Sequence, residues 1–157
     1  MTEPPAGLSP RDLCYGCGPA NPHGLAIRFQ QEGQEAVGLF VPRAEHQGFP
    51  GYVHGGVVAA ALDEAMGWAV YLAGAWAITG RMEVRFRRPV PVGASLEVRA
   101  QVVESRGRRL MARARLTDAD GQVLAEAEGL FLRVSASEAE RLRSFYGLAS
   151  DEGPAVS

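Results

Sequence analysis

His54-Gly55-Gly56-Val57-Val58-Ala59-Ala60-Ala61-Leu62-Asp63-Glu64-Ala65-Met66-Gly67-Trp68-Ala69-Val70-Tyr71-Leu72-Ala73 decides the fold. From Val57 onward the run is rich in alanine, free of proline and apolar on nearly every face. That is the pattern of a helix buried on all sides and not of an amphipathic surface helix. Asp63 and Glu64 interrupt it. An unpaired buried carboxylate is costly, so each acid requires a partner, an opening to solvent or a chemical purpose. In front, Gly55 and Gly56 carry no side chain to screen the N–H groups that a first helical turn leaves unpaired, which makes a place for an oxyanion or a polarised carbonyl.

Around this helix the chain reads as strands. Leu25, Ile27 and Phe29 alternate with polar residues over about 25–31, Gly33 supplies a turn, and a partner strand follows over about 36–41, which makes a hairpin. A loop over 42–52, containing Gln47-Gly48-Phe49-Pro50-Gly51, leads to the helix. After Gly74, the run 77–88 sets Ile78, Met82, Val84 and Phe86 against Thr79, Arg81, Glu83, Arg85 and Arg87, the period of a strand with one buried face. Strands over 96–103, 110–116 and 123–134 complete a four-strand meander, the last entered through Asp118-Ala119-Asp120-Gly121. Ser135-Ala136-Ser137-Glu138 has capping-box spacing and predicts a short helix to about Phe145. An antiparallel sheet covers a single helix by curling around it, and a second copy would cover more.

At 157 residues, 46% of them apolar, the chain is long enough for one domain with a real core. The expected organisation is a flexible arm over 1–13, one domain over 14–147 and a disordered tail over 148–157. Every basic residue apart from histidine is an arginine, the net charge is -2, and the arginines are scattered, which argues against a nucleic-acid partner. The opening Met1-Thr2-Glu3-Pro4-Pro5 has no basic-then-apolar signal, and the helix run lacks the flanks of a membrane span, so a cytoplasmic protein without membrane attachment is expected.

Cys14-Tyr15-Gly16-Cys17-Gly18-Pro19-Ala20-Asn21-Pro22-His23-Gly24-Leu25 is a compact loop leading into the first strand. Its Cys-x-x-Cys spacing with His23 invites a zinc reading, but a closed site takes four ligands and only three are near in sequence. His46 or a second subunit would have to complete the set. The favoured reading is a turn carrying two small thiols, with no metal and no cofactor.

With these residues in view, the chain resembles the hotdog-fold acyl-CoA thioesterases, in particular the branch that groups phenylacetate-pathway thioesterases with thioesterase-superfamily proteins. The resemblance runs from Cys14 to Val134 and rests on an ordered set: Cys14-x-x-Cys17-Gly18, Asn21-Pro22-x-Gly24-Leu25, Gln47-Gly48-x-Pro50-Gly51-x-x-His54-Gly55-Gly56, Asp63, Thr79 and Arg88-Pro89-x-Pro91. It implies an α+β hotdog fold, a curved antiparallel sheet wrapped around one long central helix. It implies hydrolysis of an aryl or medium- to long-chain acyl-CoA. Gly55 would offer its N–H to the thioester carbonyl, Asp63 would act as nucleophile or general base, and His54 and Thr79 would orient the reacting groups. Gln47, Gly48, Gly56, Glu64, Arg87 and Arg88 are the substrate-binding candidates; Gly48 stands where some relatives carry asparagine. Arginine suits the phosphates of coenzyme A through bidentate contacts.

A distance argument supports the class independently. Gly55 and Asp63 are eight positions apart, so on one helix they lie roughly 12 Å apart along the axis, whereas reacting atoms must come within about 3.5 Å. Either the two are unrelated or a site combines Gly55 of one subunit with Asp63 of another, in a homodimer or a tetramer built from two dimers.

Plainer readings stand beside these. Asp63 would be satisfied by an arginine partner. Glu64, about 100° around the helix, suits an ion pair or an interface better than a second catalytic role. His54 would simply bond to the helix N-terminus, Thr79 is a good strand former, and the arginines form a solvated face by default. Two rival functions share the fold: a non-catalytic acyl-CoA-binding protein, in which Asp63 would be dispensable, and a hydratase or dehydratase, which needs a histidine and an acid placed for proton abstraction beside a carbonyl.

Overall fold

The computed structural model describes residues 13–145. The expected arm, but for Leu13, and the expected tail over 148–157 lie outside the described residues. Six strands and two α-helices follow one another: β1 (Arg28–Glu32), β2 (Glu35–Phe40), α1 (Gly55–Leu72), β3 (Ala77–Phe86), β4 (Leu96–Arg106), β5 (Arg109–Thr117), β6 (Val123–Arg133) and α2 (Ala136–Phe145), with a 3₁₀ turn at Ala44–His46 before α1. All pairings are antiparallel, in the order β1-β2-β4-β5-β6-β3. The sheet wraps α1, which packs chiefly on β4 and β5 and touches the other four strands. This is the expected hotdog arrangement. Among the described residues no helix is long and apolar enough to cross a membrane.

Three expectations are corrected. First, the last four strands are not one meander. β4, β5 and β6 are, but β3 pairs with β6 at the far edge and β4 pairs with β2. The helix α1 stands between β2 and β3 in the chain, and after it β3 takes the edge beside β6 instead of a place beside β4.

Second, one chain does not bury α1 on all sides. Val58, Ala61, Leu62, Ala65, Met66, Ala69 and Val70 form its buried stripe. Burial of each large side chain among them contributes about 1.5–3 kcal/mol. The rest of the helix, including Ala59, Ala60, Asp63 and Gly67, is only half-buried, and Gly56 is exposed.

Third, the alternation of β3 breaks at Gly80. The register with β6 slips between Thr79 and Arg81, so that Thr79 lies opposite Phe131 while Met82 lies opposite Gly129. Residues directly opposite in an antiparallel pair share a face, and a bulge adds one residue to one strand. Thr79 therefore joins Met82 and Val84 on the face toward α1, not the outer face it would share with Arg81 and Glu83 in a regular strand. Ile78 is moved the other way and is 61% exposed; Phe86, at the strand end, is 57% exposed.

Ser135 Oγ accepts from the Glu138 N–H at 3.2 Å, so the expected cap opens α2.

Candidate active site

Helix α1 begins at a turn built for a close fit. Gln47 Oε1 accepts from the Gly51 N–H at 2.8 Å, and the Gly48 N–H donates to the Tyr52 carbonyl at 2.9 Å, which closes the loop before the helix. A Cβ on Gly48 would lie 3.0 Å from His54 Cα, so a larger residue there requires the loop to give by a few tenths of an ångström. The His54 N–H donates to the His46 carbonyl at 2.8 Å, fixing the entry to α1. His46 itself is buried, its Nδ1 accepting from the Arg43 N–H at 3.0 Å. Burial, followed by the neighbouring Arg43 charge, holds its pKa below the ordinary histidine value.

His54 is the N-cap. Its Nδ1 accepts from the Gly56 N–H at 2.9 Å, and its carbonyl accepts from the N–H groups of Val57 at 2.9 Å and Val58 at 3.2 Å. Of the first four N–H groups of α1, three are thus satisfied. Of these four, only the Gly55 N–H has no acceptor among the described residues. It stands at the positive end of the helix dipole, where a developing negative charge is stabilised. The Phe86 ring flanks it, 3.6 Å from where a Gly55 side chain would begin.

Two turns further along, Asp63 accepts from Thr79 Oγ1 at 2.8 Å. The bulge at Gly80 is what makes this bond possible, because it turns Thr79 toward the helix. Asp63 is half-buried and, among the described residues, makes no ion pair, so the arginine-paired reading finds no support. One carboxylate oxygen remains available to take a proton from water or to attack a carbonyl.

Two candidate half-sites therefore lie along β3: Gly55 with Phe86, and Asp63 with Thr79. The structure does not bring Gly55 and Asp63 together within the chain. Arg87 is held by Glu126, with Nε and Nη2 each 2.8 Å from Oε2. Arg88 is exposed and makes no ion pair among the described residues. A hollow of about 490 Å³ lies elsewhere, on the outer face of the sheet, walled by Arg85, Arg99, Arg113, Glu126 and Glu128. These residues alternate with the core positions of their strands, so they face away from α1.

Glu64 turns from Asp63 toward the loop of Cys14 and Cys17. The Cys14 thiol donates to Glu64 Oε1 at 3.4 Å. Burial, then the charge of Cys14, raises the Glu64 pKa to about 7. The thiols move apart: a hydrogen bond from Cys17 lowers Cys14 to about 5, and the same bond, with burial and the Glu64 charge, pushes Cys17 up. Sequence reasoning missed this cluster because fifty positions separate Glu64 from Cys14. It also missed Phe86 as a neighbour of Gly55. Gly80, a glycine inside a strand pattern, was the available signal for the bulge.

A family model described as thioesterase superfamily matches residues 50–125, from the loop before α1 into β6. The acyl-coenzyme A thioesterase THEM5 of mouse (Mus musculus) is 32% identical over 113 residues, covering 71% of this chain and 46% of that protein. The chain thus spans about half the length of the curated relatives it matches. A solved thioesterase superfamily protein superposes with a TM-score of 0.71 at 31% identity, covering 73% of this chain and 57% of that one. A mutant of the phenylacetic acid degradation protein PaaI from Thermus thermophilus superposes at 0.64 with 28% identity, covering 69% of this chain and 93% of that one.

Proposed function

The chain belongs to the hotdog-fold thioesterase superfamily, and on that premise we propose that it hydrolyses an acyl-CoA thioester, aryl or medium- to long-chain, to a carboxylic acid and free coenzyme A. The observation that carries the reading is the pair of half-sites: one unsatisfied N–H at a helix N-terminus and one carboxylate held by a single hydroxyl. Asp63 serves as nucleophile or as general base for water, Thr79 positions it, and the Gly55 N–H stabilises the oxyanion as the carbonyl is attacked. His54 acts through its cap, since its Nδ1 is committed to Gly56. Arg88, without an ion pair, is the stronger of the two arginine candidates for a coenzyme A phosphate.

The active unit in this reading is a homodimer with two shared sites, and a tetramer of two dimers is compatible with it. β3 is an open edge strand with a half-covered helix beside it, which is what a second copy would pair with and cover. Antiparallel pairing of β3 with the same strand of a second copy, centred on Glu83, matches inward faces to inward faces once the bulge counts as one position. Thr79 of one copy then falls opposite Phe86 of the other. Each Asp63 half-site thereby meets a Gly55 half-site across the twofold axis. A cytoplasmic setting fits the two free thiols.

A panel of aryl, short, medium and long acyl-CoAs, followed by free-thiol release, tests the reaction. Turnover of at least one class well above background is expected; binding without release across the whole panel would replace hydrolysis by acyl-CoA binding alone.

A further inference from the structure

The loop that precedes β1 is tied to α1 by three side chains the reaction does not use. Cys14 Sγ, Cys17 Sγ and a carboxylate oxygen of Glu64 lie within 4.8 Å of one another, all half-buried. Zinc holds thiolate sulfur at about 2.3 Å and carboxylate oxygen at about 2.0–2.2 Å, so neighbouring donors of a tetrahedral site stand about 3.5–3.8 Å apart. The 3.4 Å between Cys14 Sγ and Glu64 Oε1 is already at that spacing, and the cluster needs a contraction of about 1 Å at most to take an ion. We propose that Cys14, Cys17 and Glu64 form a three-ligand site for Zn²⁺, with a water in the fourth position.

Two features of the chain fit such a site. The loop closes on itself beside Cys14: the Gly18 N–H donates to the Cys14 carbonyl at 2.9 Å, and the Leu25 N–H to the Tyr15 carbonyl at 2.8 Å. The carboxylate is seated in the loop as well, because a Cβ on Gly16 would fall inside the Glu64 side chain. Charge argues the same way. Two thiolates and a carboxylate would leave three like charges in a half-buried cluster, and among the described residues no arginine or histidine pairs with Glu64. A divalent soft cation neutralises two of the three and displaces the thiol and carboxyl protons.

This reverses the expectation drawn from the sequence, where the ligand count stopped at two thiols and His23. The fold supplies Glu64 as the third ligand, and neither His23 nor His46 joins the group. Glu64 lies about 100° around α1 from Asp63 and meets the leading loop instead of Thr79, so the role of the site is to clamp that loop to the helix and not to touch substrate. It is independent of the proposed hydrolysis, and the loop falls outside residues 50–125 that carry the family match.

The test is elemental analysis of protein purified under reducing, chelator-free conditions, followed by Co²⁺ titration of the metal-stripped chain. One zinc per chain is expected, together with a thiolate-to-cobalt charge-transfer band that saturates at one equivalent. Cys14→Ser and Cys17→Ser should each reduce that band, and Glu64→Gln should weaken Co²⁺ binding by at least about tenfold with the band retained. The wild-type titration is decisive even where a variant misfolds. Absence of zinc together with absence of the band overturns the proposal, as does a band indifferent to Cys17→Ser. A Cys14–Cys17 disulfide that persists in reducing buffer would overturn it in favour of a redox pair.

Discussion

Asp63 and Glu64 are neighbours in sequence, on the same helix and at similar depth, yet they face different chemistry. Asp63 opens toward an edge strand and has one hydroxyl partner, Thr79. Glu64 faces a closed loop and two thiols, and its pKa is raised to about 7 by burial. The difference comes from about 100° of helical rotation combined with what the chain places on each side. An acid at an unpaired edge is available to react, whereas an acid packed under a loop is a structural group whose charge needs compensation. The second chain is expected to complete the first environment, and a metal ion the second.

The largest effect is expected at Asp63. Asp63→Asn keeps the side-chain shape and a hydrogen-bonding partner for Thr79 but removes the base, so kcat should fall by about 10²–10⁴-fold with an unchanged unfolding transition. Retention of most of the activity would leave Asp63 a structural role, like the one proposed for Glu64.

Thr79→Val should cost roughly tenfold in kcat at nearly constant KM, since one hydrogen bond to a charged group is worth about 1.5 kcal/mol or more. Thr79→Ser should restore the rate. Equal losses in the valine and serine variants would mean that the bond to Asp63 does not position it.

At Glu64 the effect is on stability, and it has a definite sign. Between its unfolded value of 4.5 and its folded value of about 7, the folded chain holds a proton that the unfolded chain has released. The contribution of Glu64 to the stability of metal-stripped protein therefore falls as pH rises through that window, and levels off above it. Glu64→Gln removes this contribution, so the variant should gain on the wild type as pH rises through the window. Thermal unfolding of both proteins with chelator, from about pH 4.5 to 8, checks it. Parallel profiles would show that Glu64 is not held in the buried form described.

Much of this was legible in the sequence, for particular reasons. The helix was readable because an alanine-rich run without proline has few alternatives, and the strands because their alternation is regular. The order of strands was not: β3 reads like the start of a meander, and only packing of α1 sends it to the far edge. The site was half legible. His54, Gly55, Asp63 and Thr79 all lie in the two candidate half-sites, whose role is a proposal, but alternation placed Thr79 on the other face because a bulge is one residue of irregularity that only Gly80 hints at. Glu64 was expected in an ion pair, an interface or the substrate site, whereas its partner Cys14 comes from a loop fifty residues earlier. Periodicity carries no record of such a contact.

The central claim is that one site takes Gly55 from one chain and Asp63 from another. Gly55→Pro tests it cleanly, because proline is well tolerated at the first helical position, the preceding His54 is already extended at φ -60 and ψ 136, and the N–H removed has no acceptor among the described residues. Alone, this variant should lose about 10²–10³-fold in kcat, the usual effect of deleting an oxyanion donor. Mixed in equal amounts with Asp63→Asn and refolded together from denaturant, the two inactive proteins should recover up to about one quarter of wild-type activity, since half the dimers would be mixed and each would hold one intact site. No recovery, with subunit exchange confirmed by mass spectrometry of tagged chains, would show that each chain carries its own complete site and would contradict the account.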